Sequence, residues 1–215
     1  LLKVLADEEL EKSTIVVFMS DNGTEPGQKK WGSGEPFRGL KWSALEGGTR
    51  VPCILRFPDV IPSGEVTDKL TTAIDLLPTL AGACGIKLKE GSGIAPKLDG
   101  LNLWASLQGK TKTHPRKSLL YWHGWAMPQA IRVGDFKLYL DKVKEIPGTN
   151  KGPVLIDLSK DPREEKDLAS EHPEKVKELK EMASKLLSEI GKNSISLGGP
   201  ANPKKQNKKG AFWLK

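Results

Sequence analysis

Six apolar or β-branched residues follow one another without a break, Thr14-Ile15-Val16-Val17-Phe18-Met19, and run straight into Ser20-Asp21-Asn22-Gly23. A run that does not alternate predicts a strand buried on both faces, of the kind found in parallel sheets covered by helices. Upstream, Leu1, Leu2, Leu5 and Leu10 stand among charged residues and predict the end of an amphipathic helix. Pro52 opens a second strand, Cys53-Ile54-Leu55-Arg56-Phe57, and Thr71 to Ala81 predicts a helix with Pro78 near its start or at a kink, ending by Gly82 or Gly85. Lys87 to Gly109 lacks periodicity and is rich in Gly and Pro, which marks a boundary. Beyond it the pattern shortens into strands at Ser118 to His123, Gln129 to Val133, Phe136 to Leu140 and Val154 to Leu158, with Gly134-Asp135 as a tight turn. Pro173 then opens a helix whose Val176, Leu179, Ala183, Leu186, Leu187 and Ile190 form one stripe, shaped to lie on a small antiparallel sheet. The order implies an α/β unit over 1–110, an antiparallel sheet with a closing helix over 111–190, and a polar tail over 191–215.

Composition narrows the functional classes. With 215 residues, 37% hydrophobic and 28% charged, the chain is long enough to bury a core as one large domain or two small ones. No apolar run approaches the roughly 18 residues that span a bilayer. The net charge of +7 suggests an acidic partner until its distribution is considered. Lys192, Lys204, Lys205, Lys208, Lys209 and Lys215 lie in a tail without acids, leaving the body near +1, so a nucleic-acid role is not expected. The opening Leu1-Leu2-Lys3 reads as a helix entered part-way. Cys53 and Cys84 permit one disulfide and require none.

The chemistry gathers around Asp21 and Asn22. Ligands collect at the carboxyl ends of strands in open α/β sheets, and both side chains offer the oxygen that a hard divalent cation prefers. Asn-Gly is also the commonest hairpin turn, but a hairpin needs a second alternating strand, and Thr24 to Gly34 is polar. The Gly-rich loop that continues to Gly39 is too long for a plain connector. Gly34 and Gly39 have phosphate-loop spacing, yet Leu40 stands where the lysine is required. Asp75 is placed as a helix-terminus carboxylate rather than a catalyst. His114 and His172 each precede a proline and read as surface or cap residues, whereas His123 and Trp125 belong to an aromatic cluster, Tyr121 to Trp125, that either packs an interface or forms a substrate rim.

Several stretches taken together resemble the second half of a type I, formylglycine-dependent sulfatase of the arylsulfatase kind. They are Ser20-Asp21-Asn22-Gly23, Pro36-Phe37-Arg38-Gly39-Leu40-Lys41, Glu46-Gly47-Gly48-Thr49-Arg50-Val51-Pro52, Asp75 to Leu80, Leu98-Asp99-Gly100, Arg132 to Leu138 and Asp161-Pro162-Arg163-Glu164. The resemblance implies the C-terminal part of an alkaline-phosphatase-like α/β core followed by the antiparallel sheet and helix. It implies that Asp21 and Asn22 bind Ca2+, that Lys41 contacts the sulfate, and that Arg38, Glu46 and Arg50 hold the loop, Glu46 and Arg50 as a buried pair. Departures are equally plain. No Cys/Ser-x-Pro-x-Arg sequence occurs, and the paired acids of the family's first strand and its active-site Lys and His are absent. The chain alone is therefore expected to be inactive, with the nucleophile in a missing N-terminal half. A sulfated small molecule or glycan is the implied substrate, and an extracytoplasmic location is implied with it. A phosphoesterase or phosphonate hydrolase of the same superfamily, or a non-catalytic binding module, stands as the alternative.

Overall fold

The computed structural model describes residues 1–28, 32–88, 98–123, 127–141, 143, 146 and 152–193. The first helix, α1 (Leu2–Asp7), buries Leu5 and leads into β1 (Val16–Met19). The expectation of a parallel strand buried on both faces is not met within these residues. β1 pairs antiparallel with β2 (Cys53–Arg56), Met19 opposite Cys53 and Val16 opposite Arg56, in a two-stranded sheet. Phe18 is 66% exposed and Ile54, directly across from it, 60%. An unbroken apolar run records that both faces can be buried; it does not say what covers them.

Between the two strands lies α2 (Glu46–Thr49), one short turn whose Glu46, Gly47 and Gly48 are all buried. The 3-10 turn Ala73–Asp75 precedes α3 (Leu76–Ala83), and Pro78 falls in its first turn, where a missing N–H forfeits little. Asp75 caps this start as expected: its carboxylate and the Thr72 side chain form a reciprocal box. The same carboxylate accepts the Leu101 N–H at 2.7 Å and the Arg116 Nε–H at 2.8 Å, binding the turn to the segment before α4 (Trp104–Leu107) and to the approach to the next sheet.

That sheet consists of β3 (Ser118–His123), β4 (Met127–Val133), β5 (Phe136–Tyr139) and β6 (Val154–Asp157), antiparallel throughout and in sequence order. Val133 pairs with Phe136 across the Gly134-Asp135 turn, and Gly134 sits at φ +58, a conformation glycine adopts at little cost. The two-residue period sorts the side chains onto two faces. Leu120, Ile131, Leu138 and Leu155 meet Leu179 and Ala183 of α5 (Pro173–Asn193), the helix predicted from its stripe. Tyr121, Ala130, Tyr139, Val154 and Ile156 face the other way and enclose Ala44 and Leu45. The loop ahead of α2 is thus built into the second sheet's core. Both cysteines are free and exposed.

Candidate functional site

Three backbone segments meet at the end of β1, where Gly23, Gly47 and Gly48 carry no Cβ and let the chains approach closely. The Gly23 N–H donates to the Gly48 carbonyl at 3.0 Å, the Gly47 N–H to the Arg38 carbonyl at 2.6 Å, and the Lys41 N–H to the Thr24 carbonyl at 3.0 Å. A methyl on Gly23 would lie 1.9 Å from the Gly47 oxygen, and one on Gly47 2.5 Å from the Arg38 oxygen. Asp21-Asn22-Gly23, the Arg38 to Ser43 loop and α2 are therefore one body. Ser20 Oγ donates to the Asn22 carbonyl at 2.9 Å and steadies the turn between them.

Beneath that body lies a buried ionic cluster. Lys137 has no solvent exposure, and its ammonium donates to the Ala44 carbonyl at 2.6 Å, to Glu46 Oε1 at 2.8 Å and to Glu164 Oε1 at 2.9 Å. The rings of Tyr121 and Tyr139 flank it at 4.3 and 5.1 Å. Glu164 accepts the Tyr139 hydroxyl at 2.6 Å and the Glu46 N–H at 2.7 Å, while Arg132 approaches Glu46 Oε2 at 3.5 Å. Burial, the largest single influence, pushes the Glu46 carboxyl up. The charge and hydrogen bond of Lys137, with Arg132 and Arg50 adding, outweigh it and hold Glu46 below the ordinary glutamate value. Burial and the neighbouring carboxylates Glu164 and Glu46 drive the Tyr139 hydroxyl far upward, so it stays a donor.

Sequence reasoning named Glu46 and Arg50 as a buried pair. The structure buries Glu46, but Arg50 is exposed and 3.8 Å away, and Lys137 is the nearer partner. Lys137, Arg132 and Glu164 were not singled out. The one sequence signal for Lys137 was its place in Phe136-Lys137-Leu138-Tyr139, a lysine on the same side of a strand as an inward tyrosine. Arg38 Nη1 donates to the carbonyls of Glu164 and Arg163 at 3.1 and 3.4 Å, tying the loop to the segment after β6.

Lys41 lines a cavity of about 650 Å3 with Thr24, Glu35, Phe37, Trp42 and Arg163. Its ammonium pairs with Glu25 at 2.8 Å; that hydrogen bond and charge raise its pKa, and the charge of Asp21 adds to the effect. Asp21, exposed, lines a second cavity of about 480 Å3 with Glu46, Arg50, Tyr121, Trp122 and Arg132, while Asn22 is half-buried. Asp21 and Lys41 thus open onto different cavities while remaining within electrostatic reach. Among the described residues no group of three or more His, Cys, Asp or Glu side chains forms a metal site. Asp21 and Asn22 offer oxygens of the right chemistry for Ca2+, fewer than the six to eight it usually takes. Trp42, beside Lys41, adopts φ +78 and is 71% exposed, a conformation that costs a bulky residue on the order of 1–3 kcal/mol. His123 ends β3, and Trp125 lies outside the described residues.

Comparison with known proteins agrees with this layout. The Sulfatase family model matches residues 1–86. Human steryl-sulfatase is 31% identical over 198 residues, covering 78% of this chain and 33% of the relative. Human arylsulfatase A is 31% identical over 206 residues, covering 85% and 39%. A solved Bacteroides thetaiotaomicron sulfatase, described with a genetic locus for the metabolism of multiple glycosaminoglycans, superimposes with a TM-score of 0.69 at 28% identity, over 86% of this chain and 41% of that one. The fold is accordingly the α/β plan of the alkaline-phosphatase-like group, with its small antiparallel sheet and closing helix. The chain spans between a third and two fifths of the length of these two curated relatives. On sequence and fold together, with the strand-end Asp-Asn-Gly and the lysine loop locked by Gly23, Gly47 and Gly48, this chain belongs to the sulfatases, in their type I branch.

Proposed function

We propose that this chain supplies part of the site of a sulfuric ester hydrolase, with Asp21 and Asn22 on the metal side and Lys41 on the sulfate side. The supporting observation is the glycine junction, which makes the end of β1 and the Lys41 loop a single rigid piece. Two oxygen donors do not complete a calcium shell; the resemblance to type I sulfatases implies that the other ligands and the formylglycine nucleophile come from an N-terminal half of the enzyme. Bound there, Ca2+ supplies Lewis-acid stabilisation of charge on the sulfate oxygens. Lys41 remains protonated at neutral pH and exchanges Glu25 for a sulfate oxygen. Arg38, Glu46 and Arg50 position the loop without touching substrate. His123 and Trp125 are assigned to the substrate rim.

This chain alone, without the nucleophile, turns nothing over. The substrate class is a sulfated small molecule or glycan, as the names of steryl-sulfatase and of the glycosaminoglycan-locus enzyme indicate for those relatives, and an extracytoplasmic location accompanies the reading. No helix among the described residues is long and apolar enough to cross a membrane. The test uses the full-length protein, assayed on sulfate and phosphate esters with calcium titrated. Sulfate-ester hydrolysis that needs calcium, weakened in calcium affinity by Asp21→Asn and slowed about 100- to 1,000-fold by Lys41→Ala, is the expected result. Faster hydrolysis of phosphate esters, or calcium affinity indifferent to Asp21→Asn, refutes it.

A further inference from the structure

Trp42 is the residue whose placement folding alone does not explain. Its backbone stands at φ +78, where a glycine would sit without strain and a tryptophan does not. The indole is 71% exposed and belongs to neither buried cluster, so core packing does not compensate for that strain. Strain of this kind collects at ligand clamps. The indole lines the same cavity as Lys41, whose ammonium lies 5.3 Å from the ring centroid. Phe37 and Leu40 add apolar wall to that cavity; Thr24, Ser43 and Arg163 add polar groups. A cation beside a flat, exposed aromatic face is complementary to a ligand with an anionic group carried on a ring, because a ring offers the indole a flat apolar face and an open chain does not.

We infer that Trp42 is a specificity-determining wall of the substrate site: the ring of a cyclic sulfate ester lies against its indole while Lys41 holds the sulfate, so ring-borne esters are selected over acyclic ones. This rests on the assignment of Lys41 to the sulfate. Sugar rings and aryl or sterol rings share the required flat face, and separate substrates distinguish them.

The experiment measures kcat/KM in the full-length enzyme for galactose 6-sulfate, 4-nitrophenyl sulfate and hexyl sulfate, with wild type, Trp42→Gly and Trp42→Phe. Glycine suits φ +78, so its unfolding temperature should not fall below that of wild type, and any kinetic change then reports the missing ring. The ratio of the preferred ring ester to hexyl sulfate is expected to fall about tenfold in Trp42→Gly, equivalent to ~1.4 kcal/mol, and to fall through KM. Trp42→Phe should keep the ratio within about threefold. The ring ester whose ratio falls identifies a sugar or an aryl ligand. A ratio that moves less than about twofold in Trp42→Gly, or falls equally in Trp42→Phe, overturns the inference while leaving sulfate-ester hydrolysis in place. A wild-type enzyme that hydrolyses none of the three overturns the underlying assignment as well.

Discussion

Replacing Lys137 by methionine removes one ammonium and strands two carboxylates. Lys137 is fully buried, as is Glu164, and Glu46 is 1% exposed, so no solvent reaches the charges left behind. What remains to Glu46 is the Tyr121 hydroxyl at 3.3 Å, Arg132 at 3.5 Å and the exposed Arg50 at 3.8 Å; Glu164 keeps the Tyr139 hydroxyl and the Glu46 N–H. Breaking a buried pair by removing one partner costs about 3–5 kcal/mol. Against a total stability of about 5–15 kcal/mol, that is about a fifth of the whole or more. For a chain of this size it corresponds to a fall of roughly 6–20 °C in unfolding temperature. Urea unfolding followed by circular dichroism measures the loss directly. A second variant, Lys137→Met with Glu164→Gln, removes one of the stranded charges and should recover part of it, with a coupling of about 1–3 kcal/mol. A single-variant cost below about 1 kcal/mol, or a coupling within about 0.5 kcal/mol of zero, refutes the view that the cluster closes the loop onto the sheet.

Three further outcomes are expected. Because Glu46 sits below its ordinary value when folded, the unfolded chain binds more protons as the medium becomes acid; the stability Glu46 contributes is present above about pH 4.3 and is lost as pH falls through the lower folded value. Glu46→Gln should flatten that acid slope in urea titrations, and a slope no different from wild type counts against the assignment. Gly23→Ala brings a methyl to 1.9 Å from a backbone oxygen and should cost at least the ~1–3 kcal/mol of an overpacked core, whereas Gly27→Ala, with open space around its Cβ, should stay within about 0.5 kcal/mol in the same thermal melts. Asp75→Asn leaves Arg116, whose side chain is 8% exposed, without its counter-charge and should cost about 3–5 kcal/mol by urea unfolding; a loss below about 1 kcal/mol would show that the Thr72 cap and the Leu101 contact suffice.

Much of the architecture was legible because it rests on local periods. The stripe from Val176 to Ile190 repeats at the helical period, and it names the face of α5 that meets the sheet. The four strands after Ser118 and the Gly134-Asp135 turn carry their two-residue alternation and turn chemistry within a few residues of each other. Asp75 was recognisable as a helix cap for the same reason. The antiparallel pairing of β1 is not legible in the sequence, because an apolar run does not carry the direction or number of its neighbours.

The sequence by itself determined which segments become strands and helices, which faces are apolar, and, through the order of its motifs, the family. Only the tertiary structure decided that Lys137 meets Glu46 and Glu164, which reaches back 91 residues along the chain in one case, and that three glycines let Asp21 and Lys41 share one rigid body. The physical reason is that a charged side chain reads the same in a linear sequence whether water or a second charge surrounds it, and long-range closure of the chain makes that choice.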